Sequence, residues 1–230
     1  MFPRMKKKPE YLVRRAELPP RLDGKWNEAG WRTATTACVS NFHPAGSGHR
    51  PKTEFKVLYD DSGLYVSFRV RDRFVRAISR KYLDMVCRDS CVEFFVQPER
   101  TKGYLNFEIN CGGVALIYYI EDPERTPGGF RKFKPVSPKH FKTMRIFHSM
   151  PARITREITR PITWHVSYFV PFSLIEHYVG KLGGIAGQVW RGNFYKCADE
   201  TSRPHWASWS PIRKLNFHQP GAFARIRFES

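Results

Sequence analysis

The chain has 230 residues, of which 41% are hydrophobic and 15% aromatic, and it carries a formal net charge of +18. That length and apolar content suffice for one large core, and no apolar run approaches bilayer length, which sets a helical membrane span aside. The seventeen prolines and sixteen glycines predict many turns and few long helices.

The basic surface would attract polyanions such as nucleic acid or acidic polysaccharide. The excess peaks in "RKFKPVSPKHFKTMR", Arg131 to Arg145, a stretch without an acidic residue. It reads as a solvated basic loop, or as a site for an acidic polymer. Cys38, Cys87, Cys91, Cys111 and Cys197 include no CxxC pair, which argues against a zinc ribbon. Their odd number, and the lack of an apolar run behind the basic start "MFPRMKKKPEYLVRR", favour free thiols in a reducing, cytoplasmic compartment.

In chain order, residues 1–17 read as a polar N-terminal arm and 18–230 as the folded domain. "LDGKWNEAGW" punctuates the start, and "FHPAGSGHRPKT" is a loop rich in glycine and proline. In "EFKVLYDDSGLYVSFRVRD", Phe55, Val57 and Tyr59 alternate with polar neighbours. "DDSG" turns the chain, and Leu64, Val66, Phe68 and Val70 alternate again, which predicts a hairpin with one buried face. "CVEFFVQP" and "YLNFEINCGG" predict a second hairpin. Side chains alternate across a strand, so an apolar face of Val92, Phe94, Val96, Leu105, Phe107 and Ile109 leaves Glu93, Glu108 and Asn110 on the other.

"VALIYYI" reads as a further strand, followed by the basic loop to about Met144. "SLIEHYVG" reads as one or two helical turns stopping at Gly180. "ITWHVSYFVPF", "VWRGNFYKCAD", "HWASWSP" and "FARIRF" complete a run of strands. The pattern predicts an all-β fold, a two-sheet antiparallel sandwich of jelly-roll type with few short helices.

The polar stripe of Glu93, Glu108 and Asn110, extended by Asn193 and Tyr195, offers hydrogen bonds suited to sugar hydroxyls. Glu93 and Glu108 also form a candidate acid–base pair for a β-sandwich glycoside hydrolase. His205, near Cys197 and Asp199, reads as a hydrogen-bonded loop histidine. Trp206 and Trp209 are three residues apart, so on a strand they face opposite ways. Trp209 suits the core, and Trp206 and Phe217 become edge aromatics able to stack on a sugar or on a base.

The ordered set "LDGKWNEAGW", "VLYDDSGLYVSFRVRD", "DSCVEFFVQP", "YLNFEIN", "WHVSYFVPFSLI", "NFYKCAD" and "FHQPGAFARIRF" resembles carbohydrate-binding module family 9 and its DOMON-like relatives, from about residue 18 to the C-terminus. The resemblance implies a β-sandwich that binds saccharide without chemistry, and a glycoside hydrolase as a working partner. It places Glu93 as the motif glutamate, Glu108 and Asn110 as polar strand residues, and Phe217, next to His218, as an aromatic plate. The family's other plate, a tryptophan ahead of the motif, is replaced by Val86, Cys87 and Arg88, with Tyr82 the nearest aromatic. Glu108 stands where the family carries an arginine. These changes imply a different sugar, with Tyr82 and Arg88 joining the candidate set. The resemblance implies no catalytic cofactor; Asp60, Asp61 and Asp72 are candidate oxygen ligands for a structural calcium.

Overall fold

The computed structural model describes residues 8–230. The basic start, residues 1–7, and the reading of it as something other than a leader lie outside the described residues. In chain order the strands are β1 (Glu10–Arg15), β2 (Ala37–Val39), β3 (Asn41–Phe42), β4 (Lys52–Tyr59), β5 (Gly63–Asp72), β6 (Val75–Ala77), β7 (Cys91–Gln97) and β8 (Tyr104–Asn110). They continue with β9 (Ala115–Thr126), β10 (Gly129–Pro135), β11 (Arg145–His148), β12 (Ile154–Ile158), β13 (Ile162–Pro171), β14 (Val189–Cys197), β15 (Trp206–Ser208) and β16 (Ala224–Phe228). Two helices, α1 (Pro138–Phe141) and α2 (Phe172–Val179), interrupt them. No helix among the described residues is long and apolar enough to cross a membrane.

The strands form a sandwich. A front sheet runs β10-β9-β8-β7-β14-β16-β1, and a back sheet runs β1-β4-β5-β13-β11, with β2 beside β4. β15 and β3 extend the front sheet from β14, and β6 pairs with β12 in a small separate ladder. Alternation explains the layers. Phe55 and Phe68 of the back sheet and Phe94 and Phe194 of the front sheet all point inward and are buried. Phe55 stacks on Phe194 with centroids 3.7 Å apart, and Phe94 stacks on Phe194 at 4.4 Å, so the two sheets meet ring to ring.

β1 differs from the expected polar arm. Glu10–Val13 pair in parallel with β16, and Arg14–Arg15 pair in parallel with β4, so one strand belongs to both sheets. Tyr11 and Val13 are buried between the layers while the charged neighbours stay outside. Short alternation flanked by lysine and arginine hid this strand in the sequence.

The basic stretch from Arg131 to Arg145 also differs from the expected loop. Its first half is β10, folded back on β9 as a hairpin across "TPGG". Lys132 meets Glu121 at 2.5 Å, and Arg131 meets Asp122 and Glu124. The acids that pair with Arg131 and Lys132 lie on the partner strand, so part of the charge peak is balanced across the ladder.

Polar groups bridge the sheets in the interior. Lys196 of β14 and Asp72 at the end of β5 have fully buried side chains 3.6 Å apart. Asp72 also accepts from Trp164 Nε1 at 3.2 Å and from His49 Nε2 at 2.8 Å. Lys196 Nζ donates to His205 Nε2 at 2.8 Å. Burial and the adjacent Lys196 charge push the His205 imidazole down to about 3, so it stays neutral and accepts. Burial by itself would raise Asp72, but Lys196 and His49 outweigh it and bring the carboxyl down to about 2.

Candidate functional site

The outer face of the front sheet carries a cleft of about 650 Å³. Its floor follows from register. Glu93 of β7 lies directly opposite Glu108 of β8 on one side and Tyr195 of β14 on the other, and Cys91 lies opposite Cys197. All five residues have the outward parity of their strands. Met85 and Cys87 from the segment before β7 contribute to the walls, as do Asp199 and Trp206. Arg125 of β9, Phe130 and Phe133 of β10, and the 215–218 segment contribute the rest.

The floor is acidic although the protein is basic. Glu93 is 2% exposed and Glu108 6%. Burial raises the Glu93 carboxyl far above its ordinary value, and the neighbouring Glu108 adds to this. Burial likewise raises Glu108, against the Asn106 amide, which donates to Glu108 Oε1 at 2.6 Å. Cys197 Sγ donates to Glu93 Oε1 at 3.0 Å. Asp199 is also raised by burial, and it accepts from Trp206 Nε1 at 2.7 Å.

Aromatic rings surround the acids. Phe217 stacks on Tyr195 at 4.1 Å with planes 12° apart, and Tyr195 Oη donates to the Phe217 carbonyl at 2.9 Å. Phe217 is therefore a fixed plate with one face on the floor. The Arg125 guanidinium lies 4.0 Å over Phe130, whose centroid is 4.4 Å from His218. His218 Nδ1 pairs with Tyr104 Oη at 2.9 Å, and its Nε2 stands 4.0 Å from Glu108. Burial lowers His218 to about 3, so this last contact is polar rather than ionic. Met85 and Leu215, two of the few exposed large apolar side chains, stand at the cleft.

Of the residues singled out in the sequence, the cleft is lined by Glu93, Glu108, Trp206, Phe217 and His218. Tyr195 lies beneath Phe217. The remaining four are engaged elsewhere. Asn110 donates to Asp89 at 2.9 Å and accepts from the Gly112 and Val114 amides, which fixes the turn after β8. Asn193 exchanges hydrogen bonds with the Ser210 backbone. Tyr82 stacks on Phe141 at 3.9 Å and donates to the Val136 carbonyl. Arg88 pairs with Glu200 at 3.3 Å. Strand parity identified a face, but not the loops that cover part of it.

Sequence reasoning missed Arg125, Phe130 and Asp199. The "TPGG" turn between two alternating stretches was the available signal for the first two. For Asp199, the signal was its position just past the outward-facing Cys197. The three aspartates named as calcium ligands stand at opposite ends of β5, Asp60 and Asp61 in the turn that precedes it and Asp72 as its last residue. Asp60 accepts from the Ser62 and Gly63 amides and from Tyr65 Oη in the turn before it, and Asp61 pairs with Arg15. Asp72 sits at the far end, in the interior network.

A family model described as carbohydrate-binding family 9 matches residues 31–228. No curated protein matches. Among solved structures, a candidate carbohydrate-binding protein from Bacteroides uniformis ATCC 8492 is 25% identical, with 97% of this chain and 100% of that chain covered and a TM-score of 0.84. A family 9 carbohydrate-binding module from Caldicellulosiruptor kristjanssonii in complex with cellotriose is 14% identical over 96% of this chain and 94% of that one, with a TM-score of 0.63. The module from the same organism in complex with glucose gives 13% identity, 95% coverage of each chain and a TM-score of 0.61. At that identity the two complexes share a fold with this chain.

Proposed function

The chain belongs to carbohydrate-binding family 9, and on that premise we propose that the front-sheet cleft holds a short neutral saccharide without altering it. The observation that carries this reading is an acidic, hydrogen-bonding floor beside the fixed Phe217 plate and Trp206, inside a protein of opposite net charge. The carboxyls present oriented hydrogen-bonding groups, and rings cover the C–H faces of a sugar. The volume lies within the range of small-molecule sites, roughly 300–1,000 Å³. The related modules that hold cellotriose and glucose support the ligand class.

Binding rather than hydrolysis follows from where the carboxyls stand. A glycosidase places its two acids on either side of the scissile bond. Glu93 and Glu108 rise side by side from adjacent strands of one floor, so they reach a sugar from one side. The polyanion alternative is weakened because the first half of its basic stretch is β10, where acids of β9 pair with Arg131 and Lys132. A module of this kind would serve a glycoside hydrolase by holding it to the same polymer.

Calorimetric titration with glucose and cello-oligosaccharides at low and high salt tests the reading. We expect binding that survives salt and weakens about tenfold, or ~1.4 kcal/mol, in both Phe217→Ala and Trp206→Ala. Affinity unchanged in both variants would remove the cleft as the site. Binding only to acidic glycans that is lost at high salt would overturn the neutral-sugar reading.

A further inference from the structure

The floor of the cleft holds more sulfur than sugar recognition requires. Cys91 and Cys197 are register partners on adjacent strands, and Glu93 is two residues along β7 from Cys91 on the same face. Cys91 Sγ, Cys197 Sγ and a Glu93 carboxylate oxygen lie within 4.8 Å of one another. Among the described residues, the one hydrogen bond to the Glu93 carboxyl comes from the Cys197 thiol. A thiol is a weak donor, yet Glu93 is almost fully buried and faces a second acid, Glu108. A carboxyl desolvated with so little compensation resists ionisation, and a positive charge at the same place would offset that.

We propose that Cys91, Cys197 and Glu93 form a binding site for a thiophilic divalent cation of the zinc type, with its fourth position open to the cleft. The donor set decides the class. Two sulfurs and one oxygen suit a borderline-soft ion that accepts four ligands, whereas calcium and magnesium require six or more oxygens or a hydrated octahedron. Zinc bonds of about 2.3 Å to sulfur and 2.0–2.2 Å to oxygen place donors roughly 3.5–3.8 Å apart. The three atoms, all within 4.8 Å of one another, stand within about 1 Å of that spacing. Glu93 and Cys197 line the cleft, which supplies an entry path and leaves room for a water or a ligand hydroxyl on the ion. Glu108 and Asp199 stand beside the site as further negative partners. Binding requires two thiolates and the Glu93 carboxylate, and it releases to solvent the protons these three groups carried. The usual search for local CxxC spacing misses this arrangement, because register across β7 and β14 brings together cysteines from distant parts of the chain.

The test uses the full chain, reduced and stripped with a chelator, and titrated with Co²⁺ in a weakly buffered solution. We expect a thiolate-to-cobalt charge-transfer band and intense visible bands that saturate at about one equivalent, with about two to three protons released per ion. Zn²⁺ should bleach the bands, and Ca²⁺ should neither produce nor displace them. Cys197→Ser should abolish the charge-transfer band, Glu93→Gln should weaken affinity about 10–100-fold, by analogy with loss of a supporting carboxylate, and Cys38→Ser, at an exposed position, should change nothing. Alkylation followed by peptide mass spectrometry gives a readout on the native sequence, should the cysteine variants fail to fold. Zn²⁺ protection of Cys91 and Cys197 supports the site, and equal labelling with and without Zn²⁺ overturns it. Two further results would also overturn it: a cobalt spectrum without a sulfur band, and recovery of Cys91 and Cys197 as a disulfide that excludes metal. None of these readouts depends on a saccharide being bound.

Discussion

Glu108 is a buried carboxyl that faces Glu93 across the ladder, with Asp199 and Arg125 acting on it in opposite directions. Burial holds its folded-state value above the ordinary one, so the folded protein keeps a proton that the unfolded chain has already lost as pH rises past about 4.5. Over that interval the folded state binds more protons, and stability falls as pH rises. Glu108→Gln removes the titrating group and keeps the shape. In the presence of a chelator it is expected to flatten the decline in melting temperature between pH 5 and 8; an unchanged slope would show that Glu108 ionises freely. At this scale the sequence was partly legible. Parity alone placed Glu93 on the same face as Glu108, and only the register of β7 with β8 makes them neighbours. Parity also set Trp206 and Trp209 on opposite faces, and the structure has Trp209 against Tyr11 and Phe55 in the core. The same parity placed Asn110 and Asn193 on the outer face, where backbone groups of turns and loops take up their amides. Alternation along one strand carries no record of a loop that arrives from elsewhere in the chain.

Between residue and molecule stand the hairpins that shape the cleft. β9 and β10 supply Arg125 and Phe130, and their surface ion pairs align the two strands. Exposed pairs contribute little, typically under 1 kcal/mol each. Replacing Arg131 and Lys132 together by Ala should therefore leave stability and saccharide affinity nearly unchanged, as urea unfolding and calorimetry would report. β14 is less forgiving. A Cβ at Gly192 would stand 2.4 Å from the Phe95 carbonyl oxygen and 2.7 Å from Ile226 Cδ1. One of these contacts is backbone and cannot swing away, so Gly192→Ala should cost about 1–3 kcal/mol. The hairpins with clean alternation, β4–β5 and β7–β8, were readable because one face of each is apolar. β9–β10 was not, because beyond Ile120 both of its faces are largely polar and its charges balance only across the ladder.

The whole molecule depends on groups that join its two layers. Asp72 of the back sheet and Lys196 of the front sheet are a buried pair, and removing one partner leaves a bare charge inside. Asp72→Ala should destabilise by about 3–5 kcal/mol, and adding Lys196→Met should recover much of the loss. His205 makes this junction sensitive to acid. The unfolded chain protonates it near 6.5 and the folded chain only near 3. The unfolded state therefore binds more protons between those values, and stability falls as pH drops through that window. Asp72 extends the loss from 3.8 toward about 2. His205→Gln should make acid unfolding shallower between pH 6 and 4, and an unaltered profile would assign the acid sensitivity to other groups. The second junction is β1, which lies parallel to β16 with Glu10 beside Arg225 and Val13 beside Phe228. Parallel neighbours leave their ladder at opposite ends. A pull applied between the two ends of this fold would thus drag β1 and β16 past each other along their length. Their hydrogen bonds would be loaded together rather than opened one at a time.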